Sequence, residues 1–300
     1  MKRELPYMNA FGTADISGAA TIEEALARAD MNWEVESQPI FDQNGNELPK
    51  YRANMRSSDG KLLGIVTNKY QIVQNIDALN FVDSLVSEGF KFDRAGSFRD
   101  GKSIWVMGNL PDRSILGDDF SSNIVFTNSH DGTSGVKVMM TPVRLVCSNM
   151  MNLALRQATR MWASKHTGGI YGKLEEAKYT LGLAENYLDA LDMEATRLSA
   201  KTLSDSEIEV ILDNMFPITP KDSERKIRNT NEIKSAFWNC YEADDIKHFR
   251  GTSYGAINAM SDLVSHKEPA RVTNNYYENS WHGLINGNVM FDTFYKKVAV

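Results

Sequence analysis

The chain has 300 residues, room for one large domain or two modest ones, and its 42% hydrophobic and 24% charged content is that of an ordinary globular protein. A formal charge of −6 and a pI near 5.5 argue against a protein that coats nucleic acid with its whole surface, while leaving room for one that concentrates positive charge in a groove. Two cysteines, Cys147 and Cys240, are too few for a disulfide scaffold or a four-sulfur zinc site. No apolar run reaches the roughly 18 residues of a membrane span, and the first residues lack the apolar stretch of a secretory signal, so the chain reads as cytoplasmic and without a membrane partner.

Residues 1–20, rich in Gly, Ala and Ser, read as a flexible arm. Thr21 can cap a helix with Glu24 as its capping-box partner, and Ile22, Ala25, Leu26 and Ala29 give that helix one apolar face. Alternation around Trp33–Glu36 and Tyr51–Arg56, with turns at Asn44-Gly45-Asn46 and Ser58-Asp59-Gly60, predicts strands and hairpins. Gln74–Asp77 opens a helix that Gly89 ends. Strands follow at Phe90–Phe98, Ser103–Asn109, Ile124–Thr127, Val136–Met140 and Val143–Val146, with a longer loop through Asp112–Asp119.

From Ser148 the apolar period changes from two to 3.6, and Met150, Met151, Ala154 and Leu155 fit a helix. Leu174, Ala177, Leu181, Ala184, Leu188, Leu191, Ala195 and Leu198 step by three and four, so 172–200 reads as a helix roughly 43 Å long at about 1.5 Å per residue. Its seam packs within the subunit or, alternatively, against another copy. Helices are expected after Leu203-Ser204, over Ile227–Tyr241 and over Tyr254–Val264, and the tail from Pro269 reads as irregular with at most a short last helix. The fold class is therefore α+β: one domain over 21–268, sheet-rich over 21–147 and helical over 148–268, with a tail at 269–300.

Residues 132–174 contain no acidic residue, yet they hold Lys137, Arg144, Arg156, Arg160, Lys165 and Lys173. These are the expected nucleic-acid contacts, because Lys and Arg neutralise backbone phosphates and release counterions without reading sequence. Trp162 and Tyr171 lie among them as possible stacking faces, against the plainer role of core aromatics. His130-Asp131, with Asp118 and Asp119 as possible metal carboxylates, invites a catalytic reading, but Ser129-His130-Asp131-Gly132 is also a good turn and is preferred as one. Cys147 reads as a small buried residue rather than a nucleophile, and Asn149 stands where a helix N-cap belongs. Gly168-Gly169 has neither the Walker nor the dinucleotide spacing.

The run from Thr127 to Leu155, TNSHDGTSGVKVMMTPVRLVCSNMMNLAL, resembles the signature of a phage- and plasmid-borne family known as domain of unknown function 932. The resemblance continues through Asn68-Lys69-Tyr70-Gln71-Ile72-Val73-Gln74-Asn75, His166-Thr167-Gly168 and Asn258-Ala259-Met260 with His266. His130, Asp131, Gly132, Pro142, Cys147 and Asn149 are the motif positions, read as structural; Ser148 departs from the Gln or Asn usual between Cys and Asn. The resemblance implies a mobile-element origin and no particular activity. A sheet meander running into a helix at an acid-poor junction is also similar to the core of phage single-strand annealing recombinases. The expectation is a non-enzymatic, homo-oligomeric protein that binds single-stranded DNA, without cofactor or metal. The alternatives are a module that binds a host protein and a metal-dependent hydrolase using Asp118, Asp119, His130 and Asp131.

Overall fold

Alternating side chains in three long strands decide the architecture. In the computed structural model, which describes residues 13–79, 82, 89–144, 149–150, 161–176, 180–267, 272–273 and 275–300, these strands form the middle of the larger of two antiparallel sheets. Its order is β1 (Thr13–Asp15), β5 (Lys91–Phe98), β6 (Ser103–Ile115), β7 (Asp118–Ser129), β8 (Val136–Arg144) and β10 (Met161–Ser164), with β9 (Asn149–Met150) also paired to β8. The smaller sheet is a meander of β2 (Val35–Phe41), β3 (Glu47–Arg56) and β4 (Leu62–Thr67).

Neighbouring side chains on a strand point to opposite faces. Ile104 and Val106 of β6, Ile124 and Phe126 of β7, and Val136 and Val138 of β8 therefore enter one cluster, together with Leu26 of α1 (Ile22–Arg28) and Trp33. Trp105, Met107, Val125 and Met139, on the other face, close around Trp281 of α8 (Tyr276–Asn286). With both faces covered, β7 is buried along almost all its length, which is why its sequence lacks a clean polar alternation.

The helical half makes a third cluster. α4 (Thr180–Ala200), α5 (Asp205–Met215), α6 (Glu224–Tyr241), α7 (Ser253–His266) and α9 (Val289–Val298) surround Ile115, Phe120 and Met140 at one end of the sheet. Leu188, Leu191, Ala195 and Leu198 of the heptad seam are all buried in this cluster, so that part of the seam packs inside the subunit. Ser204 and Glu207 form a complete capping box at the start of α5. Among the described residues no helix is long and apolar enough to cross a membrane.

Several expectations are corrected. The loop expected over Asp112–Asp119 is the closed end of the β6–β7 hairpin: Leu116 (φ 52°) and Gly117 (φ 83°) make a two-residue turn with both φ positive, which matches strand twist. The arm is partly built in, since β1 pairs with β5 and Ile16 is fully buried. The tail forms α8 and α9, with Trp281, Phe291, Phe294 and Val298 in the core. Asn149 is not a helix cap: it lies in β9 opposite Arg144, and the rest of the helix expected there, with Met151, Ala154 and Leu155, lies outside the described residues. Pro142 sits inside β8 opposite Ser122 of β7, and on the other edge it falls between the span paired by β10 and the span paired by β9. Cys147, Arg156 and Arg160 lie outside the described residues.

Candidate anion-binding site

The end of β7 is where separate parts of the chain are tied together. His130 donates its backbone N–H to Lys102 O at 2.8 Å and accepts from the Asn54 side chain on its own carbonyl at 2.7 Å. The imidazole is fully buried, edge-on to Trp33 at 5.3 Å, with Nε2 2.9 Å from Asn75 Oδ1. A carboxamide oxygen only accepts, so Nε2 carries the hydrogen; Asn75 passes its own N–H to Met31 O at 2.8 Å. Burial lowers the His130 pKa to about 3, so this ring is neutral and serves as a linchpin.

The following turn is equally committed. Asp131 accepts from Thr133 N at 3.0 Å and Thr133 Oγ1 at 2.6 Å, and its other oxygen pairs with Arg99 at 2.7 Å. Arg99 in turn reaches Glu278 of α8 at 3.0 Å, so the turn is tethered to the tail helix. A carboxylate held on both oxygens is a structural anchor. Asp118 and Asp119 stand at the opposite end of β7, roughly 36 Å away at about 3.3 Å per residue, and as neighbours on a strand they point to opposite faces. The convergence of Asp118, Asp119, His130 and Asp131 on a metal is therefore overturned. Among the described residues no group of three or more His, Cys, Asp and Glu gathers.

What these constraints leave open is a cavity of about 350 Å³ beside the turn. Lys69 and Tyr70, from the segment after β4, form one side; Gly132–Gly135 form the floor; Lys165, His166 and Thr167, from the segment after β10, close it. Among the described residues no carboxylate lines it. Both lysines are exposed, and neither has an ion-pair partner among the described residues. The aromatic wall is fixed: Tyr70 stacks on His166 and donates its hydroxyl to Ser129 O at 2.6 Å. His166 and Gln71 clasp each other twice, through Gln71 N to His166 O at 3.0 Å and His166 Nδ1–H to Gln71 O at 3.0 Å. With Nδ1 as donor, Nε2 keeps a lone pair that has no partner among the described residues, although the residue is only 5% exposed. Burial holds the His166 pKa below its ordinary value.

Of the expected contacts, Lys165 is in this cavity. Lys173 is exposed on α3 (Ile170–Glu176), whose Ile170 anchors it to the first cluster. Lys137 is half-buried on the sheet, and burial lowers its pKa. Arg144 is in β8 opposite Phe120, seven residues along the strand from Lys137, or roughly 23 Å at about 3.3 Å per residue. Of these described cations, Lys165 alone is among the residues that line the cavity, together with Lys69. Trp162 packs against the first cluster, and Tyr171, half exposed, ties its hydroxyl to Ile72 O at 2.9 Å and Asp77 at 3.2 Å. Lys69 and Tyr70 were not singled out as site residues by the sequence; the signal that marks them is Asn68–Asn75 standing among the recurring motifs. A larger cavity, about 750 Å³, runs along α6, but Glu224, Arg228, Glu232 and Lys267 give it mixed charge.

Residues 62–281 match the family model described as Domain of unknown function (DUF932), more than half of the chain, and the chain belongs to that family. Neither the curated proteins nor the solved structures give a match. Every segment that lines the cavity lies inside the matched region.

Proposed function

We propose that this family member is a non-enzymatic nucleic-acid-binding protein that holds single-stranded DNA by its phosphates, working as a homo-oligomer in the recombination or replication of a phage or other mobile element. The observation that carries the reading is the cavity itself: among the described residues it has two lysines without ion-pair partners, a glycine-bounded turn and no carboxylate, in a chain of net charge −6. Against that acidic background the cavity and the acid-free stretch around it are where a polyanion loses least to repulsion. Lysine contacts to phosphate are sequence-tolerant, which suits a protein that must accept any strand.

The test is a fluorescence-anisotropy titration of a labelled single strand at several salt concentrations. Two phosphate contacts per subunit give a slope of log affinity against log salt near −1.4, at about −0.7 per contact, and Lys69→Ala or Lys165→Ala takes away about half of it. Folded protein that fails to bind a strand even at low salt overturns the reading.

A second reading, a module that docks on a host protein, is favoured by one observation. In the smaller sheet Ile65 is 57% exposed and Tyr51 46% exposed, with Phe41 exposed beyond them. Ile65 stands opposite Ala53, two residues from Tyr51, so both belong to one face of the meander. Pull-down from nuclease-treated host lysate separates the two readings: a stoichiometric protein partner favours the second.

A further inference from the structure

We infer that the cavity between Lys69 and Lys165 is a seat for a phosphate monoester, either a nucleoside monophosphate or the 5′-phosphate end of a strand. Only the strand-end form rests on the nucleic-acid reading above; the mononucleotide form stands without it.

Three observations lead there. The first is charge. An internal phosphodiester carries one negative charge, whereas a monoester carries close to two at neutral pH. Lys69 and Lys165 supply two ammonium groups, and among the described residues no acid lines the space to compete for them. The nearby carboxylate, Asp131, is tied to Arg99 and Thr133 and does not face the lysines as a cavity-lining group, although Arg99 is shared with Glu278 and so only partly offsets its charge. The second is size. At about 350 Å³ the cavity is at the small end of the roughly 300–1,000 Å³ usual for small-molecule sites, enough for a phosphate and its sugar rather than a stretch of polymer.

The third observation is rigidity and an unpartnered hydrogen-bonding group. The walls are set before any ligand arrives, by the Tyr70–His166 stack, the His166–Gln71 clasp and the hydroxyl bond from Tyr70 to Ser129. Preorganised walls reduce the ordering cost of binding. Within this rigid frame His166 Nε2 is a buried acceptor without a partner among the described residues, an arrangement that a native protein rarely keeps unless something else completes it. A sugar hydroxyl is a donor of the right kind, reaching it by a small movement of the ring, since the atom itself is closed off from solvent. Thr167 adds a further polar group to the lining beside it.

Calorimetry with inorganic phosphate, dAMP and deoxyadenosine tests the small-molecule form on the full chain. Phosphate and dAMP bind, deoxyadenosine does not, and Lys165→Ala or Lys69→Ala weakens dAMP roughly tenfold, the equivalent of about 1.4 kcal/mol. Lys221→Ala, which changes an exposed lysine far along the sequence from the cavity, leaves binding as it was. In parallel, 5′-phosphorylated and 5′-hydroxyl versions of one single strand are titrated. A tighter phosphorylated strand, with the difference abolished in Lys165→Ala, supports the inference. Equal affinities that still depend on Lys165 mean that the cavity takes an internal diester, which overturns the inference and keeps the nucleic-acid reading. Binding of dAMP without binding of either strand supports the seat and overturns the nucleic-acid reading. No binding of phosphate, dAMP or strand overturns both. Far-UV circular dichroism confirms that each variant is folded.

Discussion

Tyr70 and His166 stack with ring centroids 4.5 Å apart and planes 14° from parallel, joining two segments that are 96 positions distant in the chain. The Tyr70 hydroxyl continues the link to Ser129 O at the end of β7. One side chain therefore holds the segments after β4 and β10 to the end of the central strand. Tyr70→Phe keeps the stack and removes only the hydroxyl bond, for a loss of about 1 kcal/mol. Tyr70→Ala also removes the ring against which His166 rests and costs about 3 kcal/mol. Urea unfolding checks both, and equal losses for the two variants would show that the stack contributes nothing.

Two glycines set how closely the segments around the cavity approach. A Cβ on Gly64 would lie 2.5 Å from Asp131 Cα, and one on Gly135 would lie 2.3 Å from Ser164 O, so in each case backbone must move. Gly64→Ala and Gly135→Ala are each expected to destabilise by about 3 kcal/mol, the upper part of the usual overpacking range. Gly168, three residues beyond Lys165, meets nothing within 4 Å of an added Cβ, and Gly168→Ala stays within about 0.5 kcal/mol of the parent. Thermal melts of the three variants decide this. A Gly135→Ala protein as stable as Gly168→Ala would refute the close packing of turn on strand.

Asn75 completes His130 on one side and Met31 on the other. Asn75→Ala leaves a buried imidazole N–H and a buried carbonyl without partners, at a cost of about 1–3 kcal/mol for each unsatisfied group. Denaturant midpoints check the loss; an alanine variant as stable as the parent would contradict the pairing.

Much of the fold was legible because local signals and tertiary packing agree. The alternation of β5, β6 and β8, the capping residues Thr21 and Ser204 and the helical runs of α6 and α7 mark the elements where they form. The signals failed where packing overrides composition. Pro111, Asp112, Gly117 and Asp119 have the makeup of a loop, yet Ile115 and Phe120 are drawn into the helical cluster and the hairpin continues to its tip. The tail, rich in Asn, Tyr and Gly, becomes helical over Tyr276–Asn286, with Trp281 seated on Trp105 at 4.4 Å. The site was half legible for a related reason. Local charge density finds Lys165, but Lys69 stands alone in its own neighbourhood, and only the fold brings it to the same cavity.

The buried histidines make stability depend on pH in a defined direction. Burial lowers the His130 pKa from 6.5 to about 3 and also lowers those of His166 and His282. The folded protein therefore refuses protons that the unfolded chain accepts. By linkage their contribution is complete above about pH 6.5 and is lost progressively as the pH falls towards the folded values, at about 1.4 kcal/mol per pH unit for each histidine fully engaged. Most carboxylates remain ionised down to about pH 5, so the interval between about pH 6.5 and pH 5 isolates the histidines. Urea midpoints measured across that interval should fall with acid. His130→Asn, less stable at neutral pH because it loses the edge contact with Trp33 and the bond to Asn75, should show a shallower fall. A parent midpoint that stays flat from about pH 7 to pH 5, or a variant with the same slope as the parent, would show that His130 is not held neutral in the fold.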